Sequence, residues 1–317
     1  MTVATATAPS VAPTSVLTHL GRTLQHKRVN ILVEADIRGC FDAVHPEWLL
    51  KLLRQRIGDE RVIRLISRML KAGIMEDGLV QVAEVGTPQG SILSPLLSNV
   101  YLHYVLDLWF QRRIRRRCRG EAYVFRVADD CVACCQYQTD ADDWLTKLGA
   151  RMEEFHLELA QEKTRQLEVG RYARAKASRR GEKPKECTFL GMTFCCGKTR
   201  HGACKVKRKT SRKKLGQSLA RLTDWIRRYR NRLPTGALLR EAKARVQGQL
   251  NSYAITDNSE SCQRYMHLTR RALVKWLKRR SQRKSYTWAA FQQALRHVGW
   301  PQVRIRVNLN PLATLNG

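Results

Sequence analysis

Tyr123-Val124-Phe125-Arg126-Val127-Ala128-Asp129-Asp130-Cys131-Val132-Ala133-Cys134-Cys135 is the stretch that decides the fold. Two β-type apolar runs, 123–127 and 131–135, flank Ala128-Asp129-Asp130, so the pattern predicts a hairpin with two adjacent carboxylates at its tip. Far upstream, Val29-Asn30-Ile31-Leu32-Val33 leads through Glu34 and Ala35 to Asp36, a second strand that ends in an acid. An Asp-Asp tip alone is a common polar turn. Two strand-borne acidic sites fit something more specific, a pair of divalent ions. In-line nucleotidyl transfer holds two such ions about 3.5–4 Å apart, to activate the attacking hydroxyl and steady the leaving pyrophosphate. Mg²⁺ prefers oxygen ligands in octahedral geometry, and Mn²⁺ is a plausible substitute. Side chains alternate along a strand, so Asp129 is expected to share both ions with Asp36 while Asp130 assists one ion or a nearby basic group. The backbone carbonyl of Ile37 is a further candidate oxygen ligand.

The segments between and beyond the two acids resemble the group II intron reverse transcriptase and maturase family, in ordered blocks. Ala35-Asp36-Ile37-Arg38-Gly39-Cys40-Phe41-Asp42 resembles its first palm motif, and Gly86-Thr87-Pro88-Gln89-Gly90-Ser91-Ile92-Leu93-Ser94-Pro95 its nucleotide-pocket motif. Val127-Ala128-Asp129-Asp130 stands where the family usually has Tyr-Ala-Asp-Asp, followed by Glu162-Lys163-Thr164 and Phe189-Leu190-Gly191. The resemblance implies a palm with Asp36, Asp129 and Asp130 as catalytic acids. It further implies a fingers-palm-thumb enzyme that adds dNTPs to a DNA or RNA primer on an RNA template, with an intron RNA maturase role beside it. Phe41 matches the steric gate against a ribose 2′-hydroxyl; without the motif a core Phe is an equal reading. Pro88, Gln89 and Gly90 match the residues that pack beside the incoming nucleotide, although Thr-Pro-Gln-Gly is also simply a turn. Lys163 matches a residue that sets template and primer geometry, and is equally readable as a solvated surface charge. Gly191 matches the primer-grip strand, where a missing side chain lets a nucleic acid backbone lie close, and is otherwise readable as a strand bulge.

Four departures from the family pattern bear on activity. The palm motif begins at Ala35, which leaves little chain for the usual fingers motifs, so a truncated product, inactive or working as a non-catalytic RNA-binding splicing cofactor, is the alternative expectation. Val127 replaces the usual Tyr, and Gln161 replaces an Asn often found before Glu-Lys-Thr; neither change removes a metal ligand. The residues after the thumb pattern show no His/Cys-rich nuclease motif, so DNA cleavage for intron mobility is not expected.

Charge supports a polyanionic partner. Lys and Arg number 58 against 27 Asp and Glu, a formal net charge of +31. Residues 205–284 carry 24 Lys/Arg and 4 Asp/Glu, a local balance of +20, which makes the carboxyl-terminal third the electrostatic handle. Arg112-Arg113 and Arg115-Arg116-Arg117 form a smaller basic cluster, and 171–185 reads as a basic Gly/Pro-containing connector. No uncharged apolar run reaches transmembrane length, so no membrane partner is expected. The 10 cysteines are irregularly spaced with no secretory signal before them, which fits reduced thiols in a cytoplasmic, bacterial setting. A zinc site from Cys195, Cys196, His201 and Cys204 is the weaker reading, because adjacent cysteines suit a hairpin strand.

The expected architecture is α+β: an antiparallel palm sheet braced by helices, then a helical thumb or maturase domain. Residues 1–28 read as a disordered or atypical leader, compatible with an organellar transit peptide, 29–204 as the palm with partial fingers, and 205–317 as the basic helical domain. Helices are expected over 46–57, 59–70, 92–114 and 139–159, the last with Thr139 and Asp142 as a capping pair, and a strand over 79–85. Leu96, Leu97, Val100, Tyr104 and Leu108 would face the core from the third of these helices. Further helices are expected over 211–230, 235–253 and 259–280; the aromatics Trp225, Tyr229, Tyr253, Tyr265, Trp276 and Trp288 among their Arg and Lys can stack bases, while Trp225 with Tyr229 and Leu273 with Trp276 and Leu277 read equally as packing between helices. A homodimer is compatible with this composition.

Overall fold

The structure is a computed structural model of the 317-residue chain and describes residues 13–40, 43–71, 74–76, 79–81, 94–170, 172–198, 204–280 and 287–309. In chain order the elements are α1 Pro13–His26, β1 Ile31–Arg38, α2 Pro46–Arg54, α3 Glu60–Lys71, β2 Ile74–Glu76, β3 Leu79–Gln81 and α4 Ser94–Leu102. Then come β4 Ala122–Val127, β5 Asp130–Cys135, α5 Gln138–Glu154, β6 Glu158–Leu159, β7 Arg165–Glu168, α6 Ala173–Arg179, β8 Cys187–Phe189, β9 Met192–Lys198 and β10 Cys204–Thr210. α7 Arg212–Tyr229, α8 Thr235–Tyr253, α9 Ser259–Lys278 and α10 Trp288–His297 complete the set. The architecture is the expected α+β arrangement.

The chain divides into two compact units, one of residues 1–190 and 196–206, the other of 191–195 and 207–317. In the first, an antiparallel sheet runs β4-β5-β1, and the far edge of β1 pairs with β6 at Ile37–Arg38 and with β7 over Ile31–Glu34. Strand parity then sorts the side chains into two faces. Ile31, Val33, Ala35 and Ile37 of β1, Cys131, Ala133 and Cys135 of β5, and Ala122 and Val124 of β4 turn to one face, where they join the main core. That core is closed by Leu49, Leu52 and Leu53 of α2, Ile63 of α3, Leu97 and Tyr101 of α4, and Trp144 and Leu148 of α5. The opposite face carries Glu34 and Asp36, paired across the ladder with Val132 and Asp130.

Several expectations are corrected. Residues 13–26 of the expected leader form α1, which buries Val16, Leu17, Leu20 and Leu24, an apolar stripe at helical spacing hidden among Thr and Ser. The helix expected over 92–114 is α-helical only to Leu102; His103–Leu108 and Phe110–Ile114 are π-helical, with the Arg115 amide donating to the Phe110 carbonyl at 2.9 Å. Of the expected stripe, Leu97 is buried and Val100 and Tyr104 pack partly buried against the core, while Leu96 is exposed; the wider turn sets the buried Val105, Phe110 and Ile114 beyond them. The helix expected over 139–159 ends at Glu154, because His156 takes a left-handed φ of 55° and Leu159 enters β6. Tyr137 stands at its amino-terminal cap with no side-chain hydrogen bond, so Thr139 and Asp142 are not a capping pair; Asp142 accepts instead from Gln138 at 2.9 Å. The expected connector 171–185 contains the short helix α6. Only 79–81 of the expected strand 79–85 are described, and they pair with β2 as a hairpin.

In the second unit, α7, α8, α9 and α10 enclose their own core, built on Leu222, Ile226, Leu238, Val246, Leu250, Tyr265, Leu273, Leu277, Phe291 and Leu295. Trp225, Tyr229 and Trp276 pack partly buried against it. Asn258, fully buried, accepts from the Thr210 amide at 2.8 Å and donates to the Thr210 hydroxyl and Tyr253 carbonyl at 2.7 Å each. Among the described residues no helix is long and apolar enough to cross a membrane.

Candidate active site

Asp36 is the sixth residue of β1, where alternation carries it to the face away from the helical core, and its direct cross-strand partner is Asp130, the first residue of β5. Asp129 and Ala128 form the β4–β5 turn, outside strand parity, so Asp130 and not Asp129 stands opposite Asp36 in the ladder. The Asp129 carboxylate nevertheless lies near the same place. Lys163, in the turn after β6, donates its Nζ to Asp36 Oδ2, and its pKa is raised by that hydrogen bond first, then by the charges of Asp36, Glu162 and Asp129. Buried Cys40 is pushed up to about 12, first by burial and then by the negative charge of Asp129, with Asp36 contributing. Three of the expected residues, Asp36, Asp129 and Lys163, therefore share one local field, and Asp130 is exposed beside them.

The Lys163 ammonium provides a direct test of whether this place suits a metal ion. A cation is already accommodated by Asp36 within the field of Asp129, and the donors are hard carboxylate oxygens of the kind Mg²⁺ takes. Among the described residues no three His, Cys, Asp or Glu side chains converge as a ready-made cage. Ile37 lies opposite Leu159 in the β1–β6 ladder. Arg38, the next residue, bonds Glu158 at 2.7 Å and Glu162 at 3.0 Å, which ties the Glu162-Lys163-Thr164 turn to the end of β1.

Gly191 occupies a left-handed turn, φ 74°, and a Cβ there would meet Lys214 Cγ at 3.0 Å and the Tyr253 hydroxyl at 3.1 Å. The turn and these protein side chains account for a glycine. Phe41, Pro88, Gln89 and Gly90 lie outside the described residues, as do His201 and the Cys204 side chain of the zinc reading.

Sequence reasoning missed the group behind the acidic turn. Arg126 shares the core face of β4, is 5% exposed, and forks onto fully buried Asp107 of the π-helical segment: Nε to Oδ1 at 2.9 Å and Nη2 to Oδ2 at 2.7 Å. Its Nη1 donates both to Asn99 Oδ1 on α4 and to the Ala128 carbonyl, each at 2.8 Å. Burial alone would lower the Arg126 pKa, but the hydrogen bonds and charge of Asp107 more than offset this and hold it above its ordinary value. Ala128 has a φ of 54°, a conformation that costs a non-glycine residue on the order of 1–3 kcal/mol and persists where surrounding contacts impose it. A signal existed: Arg126 is the one charge in an apolar strand, and Asp107 the one acid in an apolar helix.

Comparison with known proteins shows the family. The pattern of the reverse transcriptase (RNA-dependent DNA polymerase) family matches residues 3–194, well over half of the chain, and the chain belongs to that family. Curated relatives that it resembles include group II intron-encoded proteins. It is 48% identical over 80 residues to the group II intron-encoded protein LtrA of Lactococcus lactis, a match covering 24% of this chain and 13% of LtrA. It is 46% identical over 71 residues to an uncharacterized 91 kDa protein in the cob intron of Schizosaccharomyces pombe, covering 22% of this chain and 9% of that protein. With protein YkfC of Escherichia coli it shares 36% identity over 107 residues, 34% of this chain and 27% of YkfC. The matches thus span only a tenth to a quarter of these relatives' lengths. Among solved structures, apo telomerase from Candida tropicalis has a TM-score of 0.47 at 12% identity, covering 90% of this chain and 47% of that one, a likeness too distant to inform the site.

Proposed function

We propose that the chain is an RNA-directed DNA polymerase of the group II intron type, extending a primer 3′-hydroxyl with dNTPs. The observation that carries the reading is the convergence of Asp36, Asp129 and Lys163, with Asp130 directly across the ladder from Asp36. In the reaction the 3′-oxygen forms a bond to the α-phosphorus of the dNTP while the bond to pyrophosphate breaks. Asp36 and Asp129 would hold Mg²⁺, assisted by Asp130 and the Ile37 carbonyl, and the metal would supply activation of the hydroxyl and neutralisation of the leaving group. With a metal held by Asp36, Lys163 would be available to meet a phosphate. Phe41, Pro88, Gln89 and Gly90 form the nucleotide pocket in this reading, and Gly191 belongs to the turn beside the primer. The basic helices α7 to α9 hold template and intron RNA by phosphate contacts, which fits the +20 balance of residues 205–284.

The test is primer extension on an RNA template with purified protein, dNTPs and Mg²⁺, comparing the native chain with Asp129→Ala/Asp130→Ala. Extension by the native chain and its loss in the variant, with RNA binding intact, is the expected result; equal extension by both overturns the assignment. A second reading, a non-catalytic RNA-binding maturase that keeps the palm as scaffold, is supported by the +20 balance of residues 205–284, which favours RNA whether or not the acids act. Intron splicing stimulation that survives the double substitution selects it.

A further inference from the structure

We propose that Arg126 is a positioning residue for the acidic turn, acting through the Ala128 carbonyl and braced by Asp107 and Asn99; this rests on the polymerase reading above. Three observations carry the proposal. First, Arg126 lies on the core face of the sheet, opposite to Asp36 and Asp130, so it reaches no substrate and acts only through the backbone it holds. Second, all three nitrogens of its guanidinium engage fixed partners: a bidentate fork on Asp107 at 2.9 and 2.7 Å, and a shared Nη1 on Asn99 and Ala128 at 2.8 Å each. Third, the residue it grips, Ala128, is held at φ 54° immediately before Asp129.

The geometry explains why the residue is an arginine. The turn must place Asp129 near Asp36 without help from strand parity, since Ala128 and Asp129 lie outside the ladder. A planar fork can lock onto one carboxylate and still extend a third donor to a carbonyl two residues along the chain, whereas a lysine ammonium has no fixed fork. Asp107 fixes the fork and is itself fixed by the π-helical segment that carries it past Val105 and Leu106 in the core. Asn99, which also donates to the Pro95 carbonyl at 2.9 Å, ties the same guanidinium to α4. The acidic turn is thereby registered against the helical layer rather than against its own hairpin.

The test compares the native chain with Arg126→Met/Asp107→Leu, which replaces the ion pair by apolar groups and so leaves no orphaned buried charge. Three readouts are taken: hydrogen exchange at the amides of residues 128–131, binding of Mn²⁺ alone followed by its paramagnetic resonance signal, and primer extension. The expected result is faster exchange confined to the turn, weaker Mn²⁺ binding, and a kcat lower by about 100-fold, the scale of a misplacement near 1 Å, with primer–template affinity unchanged. Unchanged exchange at the turn overturns the proposal, and so does a loosened turn with native Mn²⁺ affinity. If the double variant fails to fold, Arg126→Lys, which keeps the charge beside Asp107 but not the fork, is put through the same comparison with the same expected direction. A native chain that does not extend primers refutes the polymerase reading by itself, and the exchange and Mn²⁺ comparisons still judge Arg126.

Discussion

Removing Arg126 alone should be far more damaging than removing Arg126 and Asp107 together. Asp107 is fully buried and receives two of its hydrogen bonds from the Arg126 guanidinium, with His103 Nδ1 3.5 Å away as its other basic neighbour. In Arg126→Met the carboxylate stays in the core without its partner, a change that typically costs about 3–5 kcal/mol, or roughly two to four orders of magnitude in an opening constant. In Arg126→Met/Asp107→Leu the charge is gone with its partner. Asn99 and Ala128 also lose a donor, but Asn99 is partly and Ala128 half exposed and both can turn to water, so the net change should stay within about 1 kcal/mol. The chain divides into two compact units, so the readout is taken locally in the first. Native-state hydrogen exchange of the slowest amides in β4 and β5 reports the opening free energy of the first unit directly. A double variant as destabilised as the single one would refute the reasoning, because the cost would then come from lost packing and not from an uncompensated charge.

Two further outcomes are expected. Gly170→Ala should destabilise the first unit by about 3 kcal/mol or more in the same exchange measurement, because Gly170 has a φ of 83° and an added Cβ would stand 2.2 Å from the Val29 carbonyl oxygen. Buried thiols should make stability fall at alkaline pH: burial pushes Cys131 and Cys135 up to about 12, and burial with Asp129 does the same to Cys40. The unfolded chain releases these protons from about pH 9 while the native one keeps them, so this contribution is fully present below pH 9 and is lost as pH rises toward 12, with a slope of up to about 1.4 kcal/mol per pH unit for each thiol. Urea titrations at pH 8 and pH 10.5 check it; equal midpoints would show that these thiols titrate normally in the native state.

Residues 123–135 and 29–36 each contained their strand and their acid in a form that needs no partner to be read. Apolar runs of four to six residues interrupted by a polar turn satisfy hairpin geometry locally, and α7, α8 and α9 are similarly local, with a Ser211 side chain capping the Lys214 amide. The failures were at places where a distant contact overrides a local preference. The leader looked disordered by composition, yet Val16, Leu17 and Leu20 find a core to bury in. The residues 103–114 looked α-helical by propensity, yet run as a π-helix, and the spacing of buried residues widens to match. Parity arguments assigned Asp129 to the face of Asp36, but the turn removes Asp129 from the ladder and the register places Asp130 there.

What the amino-acid order determined by itself was the inventory: which strands end in carboxylates, which third of the chain is cationic, and the order of the blocks that mark a reverse transcriptase. These are properties of neighbours along the chain, set by alternation, charge and turn chemistry. What only the tertiary structure decided was which of those groups meet. Lys163 and Asp36 are 127 positions apart in the sequence, and Arg126 holds the turn only because Asp107, 19 residues earlier, is buried against the same face of the sheet. An ion pair of that kind is written in no local pattern, since a buried charge is tolerable only once the fold has delivered its partner.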